Sequence, residues 1–226
     1  MKRLLFVLLF PLTVAAQKNP FVLKGQIGQL GPDCHLYLTY ASDGKTIHDT
    51  THLQDGRFEF RGTINEVADA LMILSTPQNE GTIPLDAIFF YIEKGTMEIS
   101  GKDALVTAIF TAGQENLAYQ ELLARLKPIR EKQRSIYRDY SSAPLEARHL
   151  PAFQASIAED YGATRNEEKQ VYLDFAVTHP NSVVSITALQ WYANGLPDAK
   201  VRAVYDSLSM EVRSGARAKV FEKLLK

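Results

Sequence analysis

Hydrophobic and polar positions alternate with a period of two in the first half of the chain and of about three and a half in the second. Alternation is strictest at Arg57-Phe58-Glu59-Phe60-Arg61, which puts both phenylalanines on one strand face and the charges on the other. Comparable runs predict strands over residues 21–27, 35–40, 45–53, 68–74, 88–92, 96–99 and 106–111. Asp43-Gly44 and Asp55-Gly56 read as hairpin turns, because both central residues of a type I′ turn need positive φ. Glu93-Lys94-Gly95 predicts a third hairpin.

From Asn116 onward the apolar positions Tyr119, Leu122, Leu126, Ile129, Ile136 and Tyr140 step by threes and fours, the stripe of a long helix. Pro128 lies within it and is expected to kink it, since proline removes a donor and crowds the preceding turn. A loop over 141–150 leads to a second long helical pattern over 151–178, with a break expected at Gly162, and the two helices should pack as an antiparallel hairpin. His179-Pro180-Asn181-Ser182 then ends one helix and caps the next, over 183–192, through Asn181 or Ser182. Gly195-Leu196-Pro197-Asp198 repeats that logic before a helix at 199–208, and a last helix follows from about 216 to 226. The expected fold class is α+β. An N-terminal antiparallel β-sandwich or barrel-like sheet, residues 17–113, precedes an all-helical segment, 114–226, built on a long helical hairpin.

Residues 1–16 read as a cleavable export signal. Lys2 and Arg3 form the charged start, an apolar stretch follows, and Val14-Ala15-Ala16 is a small-residue cleavage site. The stretch contains Pro11 and is about half the length of a bilayer span, so it is not expected to anchor the protein. The expected compartment is the periplasm or cell envelope of a Gram-negative bacterium. The chain holds one cysteine, Cys34, which allows no internal disulfide and no two-cysteine redox couple. Without the signal, 23 basic face 26 acidic side chains, and this balance does not favour nucleic acid. Charge is uneven: residues 17–113 carry 7 basic and 12 acidic side chains, residues 114–226 carry 16 and 14.

No convergent catalytic set emerges from the spacing. Cys34 precedes His35, but neighbours on a strand point to opposite faces, so Cys34 reads as a small buried residue. His48 and His52 would share a strand face about 13 Å apart, too far for one ion to bridge when zinc holds nitrogen near 2.1 Å. No metal, cofactor or catalytic residue is therefore assigned. Gly25, Gly28 and Gly31 lack the following helix that a dinucleotide fingerprint needs. Glu159-Asp160 and Glu167-Glu168 read as a solvated helix face. By residue type, the candidates for a partner or ligand surface are Tyr37, Tyr40, Phe89, Tyr91, Trp191 and Tyr192. In Phe89-Phe90-Tyr91, alternation sends Phe90 opposite to its neighbours, so one side of that strand must be covered by another element or left exposed.

Several motifs carry a resemblance: Phe21-Val22-Leu23-Lys24-Gly25, the run from Asp55 to Gly62, and Phe90-Tyr91-Ile92-Glu93-Lys94-Gly95. Glu115-Asn116 with Tyr119-Gln120-Glu121-Leu122, His179-Pro180-Asn181-Ser182 and the run from Tyr205 to Arg213 add to it. In order and spacing these are similar to bacterial envelope proteins in which a β-sandwich domain of unknown function and a helical segment precede a TlpA-like thioredoxin domain. The resemblance implies an envelope protein whose partner is a thioredoxin-like protein or a second copy of itself. Trp191, the one tryptophan, has no cysteine near it, so the family's catalytic cysteines have no counterpart and none is carried over. The expected function is a non-catalytic binding or scaffolding module. The alternatives are a thiol–disulfide pathway component with its thioredoxin domain elsewhere and a hydrolase with a site assembled from loops.

Overall fold

A computed structural model describes residues 18–78, 86–194 and 198–225. The expected export signal and the Gly195-Leu196-Pro197 stop signal lie outside the described residues. Among the described residues eight strands come first: β1 (Asn19–Ile27), β2 (His35–Ser42), β3 (Lys45–His52), β4 (Arg57–Ile64), β5 (Ala68–Ser75), β6 (Asp86–Ile92), β7 (Gly95–Gly101) and β8 (Ile109–Ala112). They form two four-stranded sheets, ordered β4-β1-β7-β8 and β3-β2-β5-β6, and the fold is α+β. Phe21, Leu23, Phe58 and Phe60 from one sheet meet Leu36, Leu38, Met72 and Phe90 from the other in a single buried core. The alternation of the sequence is thus the alternation of core and solvent, with Glu59 and Arg61 outside. Cys34 is buried in that core and has no disulfide partner.

Asp43-Gly44 and Asp55-Gly56 both adopt the positive φ pair of a type I′ turn, at 54° and 69° and at 51° and 75°. The first joins the β2–β3 hairpin, closing at Ser42 and Lys45. The second carries the chain from one sheet to the other, pressed so closely on the β1 end that a Cβ at Gly56 would stand 2.3 Å from the Gly28 carbonyl oxygen. Glu93-Lys94-Gly95 corrects the expectation of a third hairpin, because β6 and β7 belong to different sheets and do not pair. The β1–β7 pair is parallel, an exception in an otherwise antiparallel sandwich. The last strand begins later than expected. Asp86 accepts hydrogen bonds from the Leu105 and Val106 amides at 3.0 and 2.7 Å, holding that stretch in a turn.

Among the described residues seven helices follow: α1 (Gln114–Ser142), α2 (Leu145–Arg148), α3 (Pro151–Thr178), α4 (Val184–Ala193), α5 (Ala199–Ser207), α6 (Met210–Ser214) and α7 (Ala216–Glu222). α1 and α3 are antiparallel. Glu121 meets His179 near one end, Lys132 meets Glu167 midway, and Tyr140 stacks on Phe153 at the other end. α3 passes through Gly162 without a break, and α1 continues through Pro128. The loop expected over 141–150 contains α2, started by Pro144 and fastened by Arg148 donating to the Ala143 and Ser141 carbonyls, each at 2.7 Å. α6 has no counterpart in the sequence reading and starts at Ser209, whose hydroxyl accepts from the Val212 amide. Asp198 caps α5 in the same way, by accepting from the Val201 amide at 3.0 Å. A second core, separate from the sandwich core, joins Leu122, Leu126, Phe175, Leu189, Val201 and Phe221 and includes Tyr91 of β6. Among the described residues no helix is long and apolar enough to cross a membrane.

Candidate functional site

The sandwich and the helices are joined through the backbone of two edge strands. Among the described residues, β6 and β8 each end a sheet and present N–H and C=O groups with no further strand to pair them. α1 supplies the partners with two side-chain amides one turn apart. Asn116 accepts from the Tyr91 N–H at 2.8 Å and donates to the Tyr91 carbonyl at 2.7 Å. Gln120 accepts from the Phe110 N–H at 2.5 Å and donates to the Phe110 carbonyl at 3.0 Å. An i, i+4 spacing puts both amides on one helix face, so α1 completes both sheets where a ninth strand would otherwise pair.

Two buried carboxylates continue this joint. Gly113 turns the chain into α1 at φ 111°, and a Cβ there would meet Glu93 Oε1 at 2.9 Å. That glycine provides no side-chain cap, and Glu93, from the end of β6, replaces it by accepting from the Glu115 N–H at 2.9 Å. Glu115 in turn faces the start of α4, where its Oε2 accepts from the Ser182 hydroxyl at 2.5 Å. Ser182 also accepts from the Val184 amide at 3.1 Å, while the cap position of α4 itself falls one residue later than expected, at Val183. Burial pushes the carboxyls of both Glu93 and Glu115 above the usual carboxylate range, and the charge of Glu115 raises Glu93 further. Bonds from the first-turn amides of α1 and from Ser182 pull against those shifts.

Above this pair lies a cleft of ≈ 640 Å³ between sandwich and helices, lined by Glu66, Glu93, Lys94, Glu115, Glu211 and Arg217. Arg217 reaches across the joint. It pairs with Asp69 at 2.5 Å, donates to Thr187 at 3.1 Å and covers the Tyr91 ring at 5.4 Å. The Tyr91 hydroxyl bonds Thr187 at 2.9 Å, and burial pushes its phenol up to about 12. Two carboxyls with raised pKa values beside a cleft are a starting point for acid–base chemistry. Here each is committed to the N-terminus of a helix.

The six aromatic candidates fall into three environments. Tyr40 packs inside the sandwich, edge-on to Phe21 at 5.4 Å, and Tyr192 is buried with its hydroxyl donating to Asp198 at 2.9 Å. Tyr91 and Trp191 are linked through Tyr119, at ring distances of 5.4 and 6.3 Å, and Tyr172 adjoins Trp191 at 5.6 Å. Tyr37 and Phe89 share the outer face of the β3-β2-β5-β6 sheet, with Ile73 and Leu71 between them in register. Both sides of the alternative for Phe89-Phe90-Tyr91 are realised: Tyr91 is covered by helices, whereas Phe89 is 69% exposed. Tyr37 at 44% and Trp191 at 37% complete an exposed aromatic set. Glu167 and Glu168 face α1, through Lys132 at 2.9 Å and Gln133 at 3.3 Å, rather than a shared pocket. Among the described residues no group of three or more histidine, cysteine or acidic side chains is placed to hold a metal.

Sequence reasoning did not identify Glu93, Glu115, Asn116, Gln120, Thr187 or Arg217 as acting together. The available signal was polar residues at i, i+4 on the stripe side of an amphipathic helix, together with the resemblance motifs, which contain Glu93, Glu115, Asn116 and Gln120. No curated protein matches this chain. Residues 21–119 match the family model of a domain of unknown function, DUF4369, a match that takes in the sandwich and the first turn and a half of α1, with Glu93, Glu115 and Asn116 inside it.

Proposed function

We propose that the chain is a non-catalytic binding or scaffolding module of the bacterial cell envelope, working beside a TlpA-like thioredoxin protein. One observation carries this reading. The two carboxyls raised by burial, Glu93 and Glu115, are held at helix N-termini in the joint, whereas Phe89, Tyr37 and Trp191 face solvent where a partner can reach them. Aromatic side chains held on a rigid sheet and helix supply large contact area at low entropic cost. The export signal read at residues 1–16, the resemblance of the motifs and the single thiol support the same reading.

The experiment pairs the purified chain with a purified TlpA-like thioredoxin protein in sedimentation velocity. A complex weakened at least tenfold by Phe89→Asp, with thermal stability unchanged, supports the proposal. Self-association without a complex, or a complex indifferent to Phe89→Asp, refutes the surface assignment. The chain alone is expected to give no insulin reduction, and turnover that persists in Cys34→Ser would point to other chemistry.

A further inference from the structure

We propose that His35 and His52 form a chelating pair for a divalent transition metal, at a site that adjoins the aromatic face at Tyr37. The two residues are direct cross-strand partners on β2 and β3, and their ring centroids are 4.5 Å apart with a tilt of 55°. Two imidazoles on one ion, each nitrogen about 2.1 Å from it, bring the ring centres to roughly 5 Å. The observed ring separation is thus close to that of a metal-bound pair. The pleat sets this proximity, because both side chains leave the same face of a hydrogen-bonded hairpin.

The hydrogen bonding of His52 also suits a ligand. Its Nδ1 lies 3.3 Å from the Pro32 carbonyl oxygen, which can only accept, so the tautomer that makes this bond leaves Nε2 for a metal. A metal-bound histidine commonly donates its second N–H to a backbone carbonyl, which fixes tautomer and ring orientation. On its other side, His35 neighbours Ser75 across the β2–β5 ladder and stacks on Tyr37 at 6.3 Å. His48 is not part of the pair. Its Nδ1 is hydrogen-bonded to the Thr39 hydroxyl at 3.0 Å, and it lies four residues along the strand from His52, opposite Thr39. Sequence spacing along one strand tested His48 with His52, whereas the effective partner comes from the neighbouring strand. Two neutral imidazoles leave coordination positions for water and favour Cu²⁺ over Ni²⁺ and Zn²⁺.

The test is Cu²⁺ titrated into the tag-free chain near neutral pH, followed by electron paramagnetic resonance and by isothermal calorimetry. One ion per chain with superhyperfine structure from two nitrogens is expected. H35Q and H52Q should each lower affinity at least tenfold and remove the two-nitrogen pattern, while H48Q leaves both unchanged. His52 is exposed on an edge strand, so H52Q keeps the test decisive if H35Q folds poorly; circular dichroism checks each variant. Affinity within twofold of the parent in H52Q, an equal loss in H48Q, or no binding at millimolar Cu²⁺ would overturn the proposal.

Discussion

Replacing Asn116 with alanine tests whether α1 holds the sandwich through side-chain amides. Asn116 is 1% exposed, and its bonds to the Tyr91 N–H and carbonyl are 2.8 and 2.7 Å long. Alanine leaves both backbone groups facing a dry gap that no strand fills. A buried donor or acceptor without a partner costs about 1–3 kcal/mol. Two such groups therefore amount to about 2–6 kcal/mol, a large part of the roughly 5–15 kcal/mol that stabilises a domain. The partly buried Gln120→Ala should cost less, about 1–2 kcal/mol, because water can reach the Phe110 groups it abandons. Urea unfolding provides the measurement, followed by circular dichroism and by fluorescence of Trp191, the only tryptophan. The exposed Asn166→Ala on α3 is the reference for a change that touches nothing structural. Were Asn116→Ala to cost under about 1 kcal/mol, or to match Asn166→Ala, the edge-completion argument would fail.

Two further outcomes follow from the same structure. Phe60→Asp should unfold the sandwich, since Phe60 is buried and its ring alone contributes roughly 1.5–3 kcal/mol, whereas the exposed Glu59→Lys should change stability little; equal losses in thermal melts would show the register to be wrong. Glu93→Gln should match or exceed the parent at pH 7 and reduce its pH dependence, because the amide oxygen still accepts from α1 and no longer repels Glu115. The sign follows from proton linkage. The folded pKa values of Glu93 and Glu115 lie above the unfolded 4.5, so the folded state binds more protons and stability falls as pH rises from 4.5 through the raised values. Melts from pH 4 to 8 in which the variant's slope equals the parent's would refute this.

The strands, the turns and both long helices were legible because each is specified by neighbours in sequence. Phe58 and Phe60 face one way because the pleat alternates, and Asp43-Gly44 turns because those two residues tolerate positive φ. The misread places are those where a distant residue decides. Glu93-Lys94-Gly95 has the composition of a hairpin, yet Glu93 is fixed by the first turn of α1, and its strand pairs elsewhere. The stretch at 106–108 has strand-like residues, but Asp86 holds the amides of Leu105 and Val106 in a turn. Local propensity cannot register either, because the deciding group lies about twenty residues away in sequence.

The same reasoning explains why the joint, rather than a surface motif, carries most of the polar chemistry of this chain. A sandwich with two open edges is prone to pairing with other strands, and one answer is to complete the edges from within. α1 does this with amides that lack charge and so tolerate burial, while the carboxylates, costlier to bury, are placed where helix N-termini offset part of that cost. Each choice follows from the desolvation of its neighbour. The outcome leaves Phe89 exposed on the outer face of its sheet, while Tyr91, two residues along the same strand, is covered and bonded to α1. Asn116→Ala should therefore alter partner binding as well as stability, whereas Phe89→Asp should alter binding alone.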